Sequence, residues 1–511
     1  MQGGVVYMGK KKVLTAEEKL AKRQLEKKSW TGNIVGDLWG GAVTTFALLP
    51  ETIGFMIAAG VPPYIGLYTC IILTITLAIT GGRPGVISAG AGSTAMITVG
   101  LVAAYWQTHP EYLFAAVVLA GIIQFILGIV RFGSLIKFIP DCVMHGFVNG
   151  LAILIFISQV KLIFRDFATL PEMLILVGVG VGIIVFYPFL KKVWSGFGRI
   201  PSSLIAIIVI AIYGFASNSP VLRIHDMGTI TPSFEYVGMV FTRLPNIFSG
   251  ECFANIIPVS ISLAMVGIIE TMLTCRVVPE ETNTPEQEDL NRECRGQGIG
   301  NMICGVLGAM PGCAMIGQTK ANLGAGGRGR LSSLFAGGLL AALLFSVSGV
   351  LGGIPVAALV AVMLVVCYDT FNWGSVFKAH KVPIKETMSM AITVIVVLAT
   401  DNLAYGVGFG IGLYVVMMIF KMFIVNEKVM MGISLVATGV AIALMCTGFF
   451  AVGINSMALI VFMIAIFALT VASLVRNEMM AGTGLKAFAT IIMIINAAMA
   501  VLGVVFMYIM V

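Results

Sequence analysis

Apolar runs of about 17 to 25 residues, the length a helix needs to cross roughly 30 Å of hydrocarbon, recur from Val35 to the C-terminus. About fourteen to seventeen of them can be drawn, depending on how the short ones are scored. Met and Phe fall on all faces of these runs, the mark of lipid-facing filler rather than of an amphipathic stripe or a cofactor box. The pattern predicts a polytopic, all-α membrane protein.

Composition agrees with the pattern. The 511 residues are 59% hydrophobic and 11% charged, with mean hydropathy +1.01, whereas an ordinary soluble domain is nearer a quarter charged. The net charge of +7 sits in the short loops. With the N-terminus inside, Arg83, Arg131, Lys137, Lys191, Lys192, Arg199, Arg276, Arg292, Arg295, Lys378, Lys381 and Lys385 fall on one side. The loops near Pro62 and Asp401 lack basic residues, and Lys161 with Arg165 is a mild exception. This is the positive-inside pattern, so the charge reports topology and gives no reason to expect a nucleic-acid partner. A multi-pass protein of the cell membrane with a cytoplasmic N-terminus is expected.

Residues 9 to 30 are strongly polar, and no short apolar core with a cleavage site precedes the first run, so a signal peptide is not expected. In "TAEEKLAKRQLEKK", Thr15 stands three residues before Glu18, a capping-box spacing. Residues 1–34 therefore read either as a charged helix against anionic headgroups or as a solvated tail. The nine cysteines show no paired metal-type spacing and read as small packing residues, with neither disulfides nor zinc expected.

Two features occur twice. Glu51 lies mid-span in "LLPETIGF" and Glu270 mid-span in "MVGIIETMLT". At nearly the same separation, "RPGVISAGAGSTAMITVGL" (83–101) and "MPGCAMIGQTKANLG" (310–324) are glycine-rich, extended-looking stretches that lead into apolar segments too short to cross alone. Seven spans separate the members of each pair, which makes them an inverted repeat, and interrupted segments in corresponding positions of two such halves point to a transporter's central site. Non-helical backbone at membrane depth is tolerable only where protein or a water-filled cavity satisfies it. A helix starting there aims unpaired N–H groups and a positive dipole end at the cavity. The backbone near Gly92 and Ser93 and near Cys313, Ala314 and Met315 is expected to supply donors for an anion. Glycines taken singly would only pack helices; their paired arrangement favours the half-helix reading.

An acid at mid-span costs roughly 2.5 to 3.5 kcal/mol, so a functional role for Glu51 and Glu270 is the default. Two ionised carboxylates beside a cavity would repel an anion. Protonation of one, or a sodium ion between them, removes that objection and couples cation to anion. Ser88, Ser93 and Thr94 could donate hydroxyls, although hydroxyls in short helices often bond back to their own backbone. His145 reads as an interfacial or packed residue. With no P-loop, metal cluster or nucleophile triad, an enzyme, a cofactor and ATP-driven work are not expected.

The motifs "AAGVPPYIGLYT" (58–69), "FIPDCVMHGFVNGLAILIFISQVK" (138–161), "NRECRGQGIGNMICGVLGAMPGCAMIGQT" (291–319) and "GGRGRLSSLFAG" (326–337) resemble, in order, the SulP (sulfate permease) anion transporter family. The resemblance spans about 35–424. It implies the seven-plus-seven inverted-repeat fold of the uracil-permease type, with core and gate domains and repeats at about 35–217 and 252–424. It implies secondary active transport or exchange of small anions such as sulfate, bicarbonate, chloride or dicarboxylates, by an elevator-like movement. It also implies sodium ligation at Glu270 and Thr274 and a proton-linked acid at Glu51. Many members carry arginine where this chain has Gln318, and the neutral amide weakens the expectation of a strongly charged substrate. Lys320 is left as a possible charge partner for the anion or a glutamate, or as a residue of the domain interface, because two residues along a helix is about 200° of rotation.

The family commonly ends in a soluble STAS domain. Here residues 425–511 instead carry about three further apolar runs, expected to be transmembrane and to leave Val511 extracellular or periplasmic. A homodimer in the bilayer is the expected assembly. Competing functions are a nucleobase-cation symporter of the same fold, an anion channel and a non-transporting membrane sensor.

Overall fold

The computed structural model describes residues 24, 26–131, 140–165, 168–193, 202–217, 220–227, 230–243, 250–282, 289–400 and 403–423. The proposed capping box at Thr15 and the extra C-terminal runs lie outside the described residues. The first half comprises α1 (Ile34–Ala59), α2 (Pro63–Thr80), β1 (Ser88–Ala89), α3 (Gly92–Tyr105), α4 (Glu111–Ile129), α5 (Asp141–Ile163), α6 (Leu170–Val193) and α7 (Ser202–Ala216). The second comprises α8 (Gly250–Thr282), α9 (Leu290–Val306), β2 (Cys313–Ala314), α10 (Ile316–Gly324), α11 (Arg330–Gly352), α12 (Val356–Thr370), α13 (Ile384–Thr400) and α14 (Leu403–Phe423). Among the described residues, seven helices are long and apolar enough to cross a membrane.

Local chemistry sets the boundaries. Gly60 ends α1 in the left-handed region at φ 78°, its N–H returning to the last turn, and Pro63 opens α2 at a position where a missing N–H costs nothing. Asp289 caps α9 by accepting the Arg292 N–H at 2.9 Å.

The halves pack alike. In the first, α1 lies on α3, α4 lies against α8, and α6 lies on α7; in the second, α8 lies on α10, α11 lies against α1, and α13 lies on α14. The pairing of α4 with α9 is matched by that of α11 with α2, and the pairing of α5 with α13 by that of α12 with α6. This correspondence is the seven-plus-seven inverted repeat. It sorts the helices into a core of α1–α4 with α8–α11 and a gate of α5–α7 with α12–α14.

The half-helices are short, as the sequence predicts. At 1.5 Å per residue, α3 and α10 reach only about 21 Å and 14 Å, well under a hydrocarbon thickness. Their lead-in segments run antiparallel and pair as β1 and β2, Ser88 opposite Ala314 and Ala89 opposite Cys313. Extended backbone at this depth thus satisfies part of its own hydrogen bonding.

Candidate functional site

Both half-helices begin beside this two-stranded bridge without a side-chain cap. Ala91 precedes α3 in extended conformation and Met315 precedes α10 likewise. The first N–H groups of each helix, at Gly92 to Thr94 and at Ile316 to Gln318, therefore lack intrahelical partners and project a positive dipole end. Gly92 admits close packing: a Cβ there would meet the ring of Phe55 on α1 and Ile155 on the gate helix α5. The site thus lies where core meets gate.

The two mid-span acids arrive at this place from α1 and α8. Ser93 donates its hydroxyl to Glu270 Oε2, and the Cys313 thiol donates to the same oxygen at 3.0 Å. Ser93 Oγ and Cys313 Sγ stand 3.8 Å apart. Thr274, one turn beyond Glu270, donates to the carbonyls of Glu270 (2.9 Å) and Ala314 (3.1 Å), which leaves its oxygen lone pairs for another group. Across the bridge, Gln318 donates its amide to Glu51 Oε2, and both are buried. Glu270 is half-buried. One oxygen-rich group thus surrounds the start of α3 and another the start of α10.

Several predicted residues take more specific places than their sequence pattern implies. The Ala314 N–H goes to Thr271 Oγ1 at 3.1 Å and the Met315 N–H to the Ile87 carbonyl at 2.9 Å. Those two amides are engaged within the bridge, and the unpaired donors begin one residue later, in the first turn of α10. Thr94 bonds back to Ala91 and across to the Pro311 carbonyl, both at 3.0 Å. Ser88 Oγ is buried without a hydrogen-bond partner. Lys320 is exposed on the face of α10 that also carries Gly317 and Gly324, while Gln318 is buried, in keeping with their angular separation. His145 is half-buried, its Nδ1 2.9 Å from the Asn372 amide, far along α5 from Ile155.

Behind these residues lies a second layer that neither the mid-span acids nor the glycine-rich stretches mark. Thr271 of α8, Gln297 and Asn301 of α9, and Gln124 of α4 are all buried, and three of them bond to the segment before α10. The spacing of Gln297 and Asn301, four residues apart on one helix face in a membrane chain, is the signal that could have marked them.

Two inverted seven-helix repeats with facing broken helices define a membrane transporter. The model of the sulfate permease family matches residues 34–393, and the chain belongs to that family, which places it among transporters rather than enzymes. It is 44% identical over 396 residues to the putative sulfate transporter YbaR of Bacillus subtilis (strain 168), covering 77% of this chain and 79% of the relative. It is 27% identical over 436 residues to the bicarbonate transporter BicA of Synechocystis, covering 80% and 74%. Among solved structures, the transmembrane domain of a cyanobacterial BicA superposes with TM-score 0.62 at 26% identity, covering 74% of this chain and 97% of that one. Murine Slc26a9 in the inward-facing state shares the fold, with TM-score 0.65 at 18% identity over 82% and 77% of the two chains.

Proposed function

We propose that this protein is a secondary active transporter of small anions of the sulfate, bicarbonate or dicarboxylate class, driven by proton or sodium symport or by anion exchange. One observation carries the reading: two uncapped half-helix N-termini and two mid-span carboxylates meet at the core–gate boundary. The anion takes the N–H groups of Gly92 to Thr94 and of Ile316 to Gln318, with Ser88, Ser93 and Cys313 around it. Glu270 and Thr274 hold sodium, or Glu270 and Glu51 take up a proton, so that the anion meets a neutral site. Lys320 faces the water through which the anion arrives. Core moves against gate, elevator fashion, and carries the site across. The same reading puts a homodimer in the cell membrane with its N-terminus in the cytoplasm. The anion names carried by the relatives support the substrate class.

Binding can be read on purified protein before any transport is measured. A ligand at 100 times its Kd stabilises the folded state by about 2.7 kcal/mol. Sulfate, bicarbonate, fumarate and uracil are therefore compared for their effect on the unfolding midpoint, with and without sodium and at two pH values. The expected result is a rise with one anion that grows with sodium or with acid, and none with uracil. Stabilisation by uracil alone would replace the anion reading with a nucleobase carrier.

A further inference from the structure

The segment Met310–Met315 crosses the middle of the core in extended form, so each of its backbone groups needs a partner that water cannot supply. Side chains from four helices and the facing strand provide them. Thr69 of α2 donates to the Met310 carbonyl at 2.8 Å and Thr94 of α3 to the Pro311 carbonyl at 3.0 Å. Asn301 treats Gly312 as a neighbouring strand would, accepting its N–H at 3.0 Å and donating to its carbonyl at 3.1 Å. Gln297 donates to the same carbonyl at 3.1 Å. Thr271 accepts the Ala314 N–H at 3.1 Å and donates to Gln297 Oε1 at 2.5 Å. Gln124 of α4 in turn accepts from Asn301 at 2.8 Å. Gly267 of α8 makes room, because a Cβ there would strike the amide nitrogens of both Gln124 and Gln297.

The corresponding segment of the first repeat is held from α10 and α2: Asn322 donates to the Gly85 carbonyl at 2.9 Å, Thr319 Oγ1 accepts the Ile87 N–H at 3.0 Å, and the Gly90 N–H reaches Cys70 Sγ, a weak sulfur acceptor, at 3.5 Å. The segment before α10 is held by the amides of Gln297 and Asn301 and the hydroxyls of Thr69, Thr94 and Thr271, and what it holds is the Cys313 thiol on Glu270 and the Ala314 carbonyl on Thr274.

We propose that Thr271, Gln297 and Asn301 are positioning residues that fix the Gly312–Ala314 backbone and through it set the cation affinity of the Glu270–Thr274 group. The inference rests on the transport reading for its affinity consequence, and on geometry alone for its effect at Cys313. Thr271→Val keeps the shape and removes the hydroxyl; Thr271→Ser keeps the hydroxyl. In the full-length protein, modification of Cys313 by N-ethylmaleimide is followed by peptide mass spectrometry, alongside the unfolding midpoint and the half-saturating concentration of the coupling cation. Losing the two buried hydrogen bonds of the Thr271 hydroxyl, of which the one from the Ala314 N–H fixes the segment, predicts Cys313 labelling about tenfold faster and a half-saturating cation concentration about tenfold higher in Thr271→Val. Maximal rate should change little, the unfolding midpoint should fall by a few degrees because the Ala314 N–H is left buried without its acceptor, and Thr271→Ser should restore wild-type values. If Thr271→Val does not fold, Gln297→Met, which removes the amide and keeps its bulk, carries the same readouts. Faster labelling in a protein that transports no anion would leave the positioning role standing and remove the transport reading. Unchanged Cys313 labelling with unchanged cation dependence would overturn the proposal.

Discussion

At the residue scale, Gln318 and Glu51 form the most informative pair. The amide donates to the carboxylate in a buried setting, so Gln318 is engaged with an acid where the resemblance predicts a cationic side chain in many members. An arginine at 318 would present a planar guanidinium with five donors. It could keep Glu51 as a charged partner and still aim N–H groups at the start of α10. Gln318→Arg is therefore expected to shift the ratio of divalent to monovalent anion uptake upward about tenfold, the scale of one charge-assisted hydrogen bond. Competition between labelled sulfate and bicarbonate in the two proteins reads that ratio directly, and an identical ratio would refute the role given to the missing charge. Glu51 and Glu270 were legible in the sequence because an acid inside an apolar run has no ordinary explanation. Thr271, Gln297 and Asn301 were not, because neutral polar side chains among glycines look like packing until a backbone segment is seen to need them.

At the element scale, the broken helices were legible from glycine, proline and shortness, and their inverted pairing from the repeat of those features at a constant separation. What sequence could not give was register. That Ser88 faces Ala314 depends on where two distant segments meet, and this register decides which amides remain unpaired. Gly312 shows how close that meeting is: a Cβ there would lie against the Ala89 carbonyl and Leu73. Gly100, further along α3, faces open space. Overpacking of this kind costs about 1 to 3 kcal/mol, so Gly312→Ala should lower the thermal unfolding midpoint by several degrees while Gly100→Ala leaves it unchanged. Equal midpoints for both variants would contradict the tight bridge.

At the scale of the whole molecule, two surfaces need different solvents. Helices α6 and α11 expose Ile175, Phe186, Phe345 and Val350, as lipid contact requires. Half-helix α10 instead exposes Gly317, Lys320 and Gly324, a face that water suits and hydrocarbon does not. This face runs from the mid-core bridge toward the side on which α1 begins. On α3 the residues from Gly92 to Thr98 are buried, and Gly100, Ala103 and Ala104 further along are exposed. The central claim is that a cation gradient drives an anion through this site, and uptake into liposomes tests it most directly. Labelled sulfate, bicarbonate and fumarate are offered under separately imposed proton and sodium gradients, to wild-type protein and to Glu270→Gln. The account predicts accumulation of one anion above its outside concentration under one of the two gradients, and its loss in folded Glu270→Gln. Flux that only equilibrates, or accumulation that survives Glu270→Gln, would contradict it.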